Sequence, residues 1–181
     1  MTDSQPAQTP DFDVLLSEAD LAKVIEDLAD RLAPRLVGEW TAINILIGAT
    51  PFTSDLMKAL ARRHVHPILD ALWLESYRDG QESSGRVVVR VDIARPVAGR
   101  SVLILDDVFD TGRTLEFARN HFLAKGAREV ITCALARKPW APTGEDAVDY
   151  YAWDAPPRFL VGYGMDDAGK YRGLPYIGAV D

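Results

Sequence analysis

VLILDDVFDTGRTL, residues 102–115, decides the reading of this chain. Val102 to Leu105 are apolar and β-branched or aliphatic, the signature of a buried strand. Asp106 and Asp107 stand at its predicted end, and Asp110-Thr111-Gly112-Arg113-Thr114 turns the chain into a helix. Such a turn offers backbone N–H groups, hydroxyls and a helix N-terminus to a phosphate. Its carboxylates suit ribose hydroxyls and a divalent cation. Together they describe a sugar-phosphate site.

Working outward, strands and helices alternate. Ser17 with Glu18 and Asp20 marks a helix start; Leu21, Val24, Ile25, Leu28 and Leu32 follow helical spacing, and Pro34 ends it. Ile43 to Ile47 reads as a buried strand closed by Gly48. Thr53 is the expected cap of a second helix, with Leu56, Met57 and Leu60 inward. Strands are predicted over 68–74, 87–93 and 130–136, and a helix over 114–125 stopped by Gly126. Residues 75–86 (ESYRDGQESSGR) read as a mobile loop, and short strands are expected near Tyr150 and Leu160, before a glycine-rich end. The pattern predicts an α/β domain with a mainly parallel twisted sheet, its ligand beyond the carboxyl ends of the strands.

The chain has 181 residues, 48% hydrophobic and 26% charged, which fits one domain with a full core. Residues 1–10 read as a loose tail and 11–181 as the domain. No apolar run approaches a membrane span, and MTDSQPAQTPDFDV lacks a signal pattern. The single Cys133 fits a reducing cytoplasm, and a net charge of -7 gives no support to nucleic-acid binding. There is no G-x-x-x-x-G-K-[ST] and no strand-linked G-x-G-x-x-G, so nucleotide hydrolysis and dinucleotide binding lack support.

The 102–115 run resembles the phosphoribosyl-pyrophosphate (PRPP) signature of type I phosphoribosyltransferases. VDYYAWDAPPRFLVGYGMDDAGKYRGLPYIG, residues 148–178, is similar to the end of hypoxanthine-guanine phosphoribosyltransferases. Ser76-Tyr77 and Ser84-Gly85 resemble that family's active-site lid. The resemblance runs from about Ile43 to Gly178 in the family's order. It implies the type I fold with a small hood from the chain ends (about 148–181), a lid over about 75–86, Mg²⁺ as cofactor, a homodimer or homotetramer, and no membrane.

The implied reaction transfers the phosphoribosyl group of PRPP to a 6-oxopurine. By resemblance, Thr111, Gly112, Arg113 and Thr114 cradle the 5′-phosphate. Asp106 and Asp107 take the ribose hydroxyls, directly or through Mg²⁺. Asp110 faces purine N7 as general base; the plainer reading is a cap of the next turn. Lys138 donates to the purine O6, against an exposed strand-end lysine; Phe159 stacks on the base, against ordinary core; Leu160 gives backbone contacts. Asp166, with Asp167 as alternative, binds Mg²⁺ at the pyrophosphate, and Arg172 pairs with the pyrophosphate itself. Gly48-Ala49 occupies the pyrophosphate loop, near which members often hold a non-proline cis peptide.

Two positions depart from the family. Ile47 stands where many members carry Lys, and Pro139-Trp140-Ala141-Pro142 follows Lys138 where an Arg is frequent. His64 and His66 read as a solvated pair, His121 as structural or exposed, and Cys133, Trp73 and Trp153 as core. Two further readings remain: a PRPP- or nucleotide-sensing regulator on the same fold, and a transferase for another base such as xanthine. Lys138 and the FLVGYG segment argue against a pyrimidine.

Overall fold

The computed structural model describes residues 12–76 and 87–180. Among them run strand β1 (Asp13–Leu16), helix α1 (Glu18–Leu32), β2 (Trp40–Leu46), α2 (Thr50–Ala61), β3 (Ile68–Ser76) and β4 (Val87–Val91). These are followed by β5 (Ser101–Phe109), α3 (Arg113–Ala124), β6 (Glu129–Arg137), β7 (Tyr150–Asp154), β8 (Phe159–Val161) and β9 (Ile177–Val180). The main sheet has the order β4-β3-β2-β5-β6-β7, parallel throughout except for β4 against β3. A small antiparallel sheet, β1-β9-β8, joins the two ends of the described chain as a hood.

The central strands β2, β5 and β6 are buried on both faces, which is why they read as continuous apolar runs rather than alternating ones. On one face Leu103, Leu105, Cys133 and Leu135 pack with Leu21, Ile25 and Leu28 of α1 and Leu56 and Leu60 of α2. Leu16, Leu160 and Ile177 of the hood join the same cluster, so the hood shares this core. On the other face Ile43, Ile45, Ile104 and Ala134 pack with Leu115, Ala118 and Phe122 of α3. α1 begins as expected: Ser17 Oγ accepts from Asp20 N at 3.2 Å, and the Asp20 carboxylate accepts back from Ser17 N at 3.3 Å.

Several boundaries differ from the expectation. β2 starts at Trp40 and ends at Leu46, leaving Ile47 in an exposed loop. β3 continues through Glu75 and Ser76, which the expectation placed in the loop; residues 77–86, including Tyr77, Ser84 and Gly85, lie outside the described residues. The same holds for the predicted tail, residues 1–10. β4 stops at Val91, and β6 gains Glu129 and Arg137.

Asp106 and Asp107 do not end β5. Pairing with β2 stops at Leu105, but pairing with β6 continues through Asp106, Val108 and Phe109, which keeps the strand extended. Thr53 does not cap α2. The helix starts at Thr50 with Pro51 in its first turn, where a missing N–H costs nothing, and the Thr53 hydroxyl instead donates to Asn44 Oδ1 at 3.1 Å. Trp73 is not core. It is 42% exposed, on the face of β3 opposite to the buried Leu72, while α2 packs on the neighbouring β2. β1 and β9 carry no local signal; β1 pairs with the far end of the chain, Asp13 opposite Ala179, and β9 lies between β1 and β8.

Candidate active site

The carboxyl ends of β2, β5 and β6 open at one edge of the sheet, and β8 of the hood stands beside them. An open cavity of about 480 Å³ lies there. Six of the expected residues line it: Asp107, Asp110, Lys138, Phe159, Leu160 and Asp166.

Asp106 is buried and Asp107 half-buried beside it. Asp106 Oδ1 accepts from Asp107 N at 3.0 Å, and Asp107 Oδ1 accepts from Val108 N at 2.8 Å. Burial, and then the neighbouring Asp107 charge, hold the Asp106 carboxyl well above the usual carboxylate range. Burial raises Asp107 as well, against the pull of the Val108 N–H and the charge of Arg172. Two adjacent carboxylates in this state are a donor set that a dication relieves. Mg²⁺ typically takes one or two protein carboxylates, with waters and substrate oxygens filling the rest of its shell. The pair therefore fits Mg²⁺, although no cluster of three acidic, His or Cys side chains is assembled among the described residues.

The loop that follows β2 comes close to Asp107. A Cβ at Gly48 would overlap the Asp107 carboxylate, so only glycine lets the loop lie this close. The cis peptide is present, between Leu46 and Ile47, just before Gly48-Ala49. From the other side lies Gly164, at a positive φ of 101°, where a Cβ would overlap the Gly48 carbonyl. The hood, the loop and β5 thus meet at Gly48.

Gly112 takes φ 79° before the first turn of α3, and no side chain caps that helix. The N–H groups of its first turn are left for a ligand, with Thr111 and Arg113 exposed and Thr114 half-buried around them. Asp110 is not the cap. Its Oδ1 accepts a hydrogen bond from Trp140 Nε1.

Lys138 is not a solvated strand-end lysine. It is 7% exposed, and its Nζ donates to the Pro156 carbonyl at 3.3 Å and to the Arg158 carbonyl. Burial pushes its ammonium pKa down, with the charge of Asp110 opposing. Two of its three protons are committed, which leaves one for a further acceptor. Phe159 is not core either: it is 57% exposed on the cavity, while Leu160 beside it is buried. Asp166 Oδ1 pairs with Arg172 at 2.5 Å, its Oδ2 accepts from Gly169 N at 2.6 Å, and Arg172 also donates to the Gly164 carbonyl. Asp166 rather than Asp167 lines the cavity.

The family profile described as "Phosphoribosyl transferase domain" matches residues 20–168. The chain belongs to the phosphoribosyltransferase family. Within it, the chain is 34% identical over 168 residues to the hypoxanthine-guanine phosphoribosyltransferase of Streptococcus agalactiae, covering 92% of each. It superposes on a crystal structure of a hypoxanthine phosphoribosyltransferase from Staphylococcus aureus with a TM-score of 0.85 at 30% identity, covering 93% of this chain and 91% of that one. It matches the hypoxanthine phosphoribosyltransferase of Trypanosoma cruzi, solved in complex with the product IMP, at a TM-score of 0.85 and 27% identity, over 97% of this chain and 98% of that one. The family's type I fold, an α/β sheet with a hood, is the one seen here.

Sequence reading missed some lining residues. Val108, Pro157, Arg158 and Met165 also face the cavity, and they carry no motif of their own. Trp140 stood out only as a departure from the family, yet it holds Asp110.

Proposed function

We propose that this protein is a purine salvage enzyme that transfers the 5-phosphoribosyl group of PRPP to hypoxanthine, and to guanine, giving IMP or GMP and pyrophosphate. The observation that carries this reading is the single cavity shared by Asp107, Asp110, Lys138 and Phe159. It gathers two carboxylates, a buried ammonium and an exposed aromatic ring around one space. The Streptococcus and Trypanosoma relatives carry the corresponding names.

In the reaction a purine ring nitrogen forms a bond to ribose C1 as the C1–O bond to pyrophosphate breaks. Positive charge develops on the sugar and negative charge on the leaving group. Asp110 accepts the proton from N7 and returns it in the reverse direction. The free Lys138 proton donates to O6. A 6-amino group would place two donors face to face, so adenine is disfavoured. Phe159 offers an exposed ring to the base, and the Leu160 backbone its edge. Thr111, Gly112, Arg113, Thr114 and the first turn of α3 hold the 5′-phosphate, with Gly48 and Ala49 on the pyrophosphate side. Asp106, Asp107 and Asp166 would hold Mg²⁺, which when bound neutralises charge on the pyrophosphate oxygens. Arg172 leaves Asp166 to pair with pyrophosphate. Ser76 and Tyr77 belong to the lid that excludes water.

We take residues 11–181 as one domain acting as a homodimer or homotetramer in the cytoplasm. A buried free Cys133 is consistent with that compartment, and no helix among the described residues is long and apolar enough to cross a membrane. A competition assay tests the base. IMP formation from hypoxanthine should be inhibited by guanine and left unaffected by adenine or uracil; inhibition by adenine equal to that by guanine would sink the role of Lys138.

A further inference from the structure

Trp140 is one of the two most exposed aromatic side chains on the cavity. It and Phe159 are each 57% exposed there. It is nevertheless built in rigidly. Lys138 N donates to the Phe109 carbonyl at 3.0 Å, which ties the end of β6 to the residue before Asp110. Ala141 N then donates to the Lys138 carbonyl at 3.1 Å, closing a four-residue turn with Pro139 and Trp140 at its centre. Proline at the first central position fixes φ of such a turn in advance. Ala141 is buried, and Pro142 lies beside Gly112 of the signature turn. From this mount the Trp140 ring lies 5.7 Å from Lys138 Nζ, and its indole N–H reaches Asp110 Oδ1.

An indole N–H only donates, and a carboxylate accepts at both oxygens. A donor anchored on a proline turn therefore fixes the rotamer of Asp110 through one oxygen and leaves Oδ2 for a substrate proton. We propose that Trp140 is a positioning residue of the transfer reaction, holding Asp110 by Oδ1 so that Oδ2 meets purine N7. This rests on the reading of Asp110 as the base. The sequence that departs from the family after Lys138 is thus put to use on the same proton.

Two measurements test it together. The chain has four tryptophans, so a ¹⁵N spectrum shows four indole N–H signals, and Trp140→Phe identifies the Trp140 signal by deleting it while the other three report an intact fold. Asp110→Ala should move that signal upfield; an unmoved signal overturns the proposal. In steady-state assays Trp140→Phe keeps a ring but loses the donor. It should lower kcat with hypoxanthine about tenfold and leave KM for PRPP within about twofold. Wild-type kcat in this variant, or a loss confined to KM, overturns the proposal while wild-type turnover still supports the salvage reading. A wild-type protein that turns over no 6-oxopurine defeats both, even if Asp110→Ala moves the indole signal.

Discussion

Gly48→Ala separates folding from PRPP binding more cleanly than any substitution of a charged residue. Gly48 is outside the left-handed region, so alanine brings no backbone penalty of that kind. Its new methyl group instead overlaps the Asp107 carboxylate, the far end of a side chain that can turn away. Turning breaks the 2.8 Å bond from Val108 N, whose net worth is about 1 kcal/mol, and the crowded loop adds about 1 kcal/mol more. The expected loss of stability is about 2 kcal/mol, or a Tm lower by roughly 4–8 °C for a chain of this size. The effect on substrate should be larger. Losing one charge-assisted contact of Asp107 to PRPP or its metal costs about 2 kcal/mol, so KM for PRPP should rise roughly thirtyfold, with KM for hypoxanthine much less affected. Urea unfolding gives the first number and pyrophosphate release at varied PRPP the second. Gly164→Ala is the contrasting control. There the added carbon meets backbone, the Gly48 carbonyl group, at a φ of 101°, so stability should fall further than in Gly48→Ala. An unchanged KM for PRPP in a folded Gly48→Ala protein would refute the placement of Asp107 in the PRPP site.

Asp110→Asn should cut kcat by about 100-fold or more while PRPP still binds, as read by equilibrium titration with PRPP and Mg²⁺. Lys138→Gln should reduce the preference for hypoxanthine over adenine by about tenfold or more, since the glutamine carbonyl can face an amino group. Asp92 predicts an acid limb of stability. Burial acts to raise its pKa, but hydrogen bonds from Lys125 and His121 outweigh it and hold the group at about 2. A carboxylate depressed in the fold adds stability that is present above the unfolded value of about 3.8 and lost as pH falls through about 2. The stability gap between wild type and Asp92→Asn should shrink as pH falls from about 4 to 2; a gap that grows in that window contradicts the assignment.

The parts of the fold legible in the sequence are those whose signal is local. The apolar run before Asp106, the Ser17 and Asp20 cap, and the glycine at the head of α3 each act within a few residues. What failed was set at a distance. β5 runs on past its acids because β6 is still there to pair with it, and β1, at the other end of the chain, has β9 as its sheet partner. Thr53 looked like a cap, but Asn44 on β2 takes its hydroxyl. Trp73 looked like core, but which face of a strand is covered is a matter of packing. At the site, the types of residue were readable and their partners were not. Nothing in the chain's order announces that Lys138 bonds two hood carbonyls, that Asp166 closes on Arg172, or that Trp140 reaches back to Asp110.

The central claim is that one cavity brings PRPP and a 6-oxopurine together. Purified protein with Mg²⁺ and PRPP should release pyrophosphate on addition of hypoxanthine and form IMP in equal amount. No turnover with hypoxanthine, guanine or xanthine would contradict it.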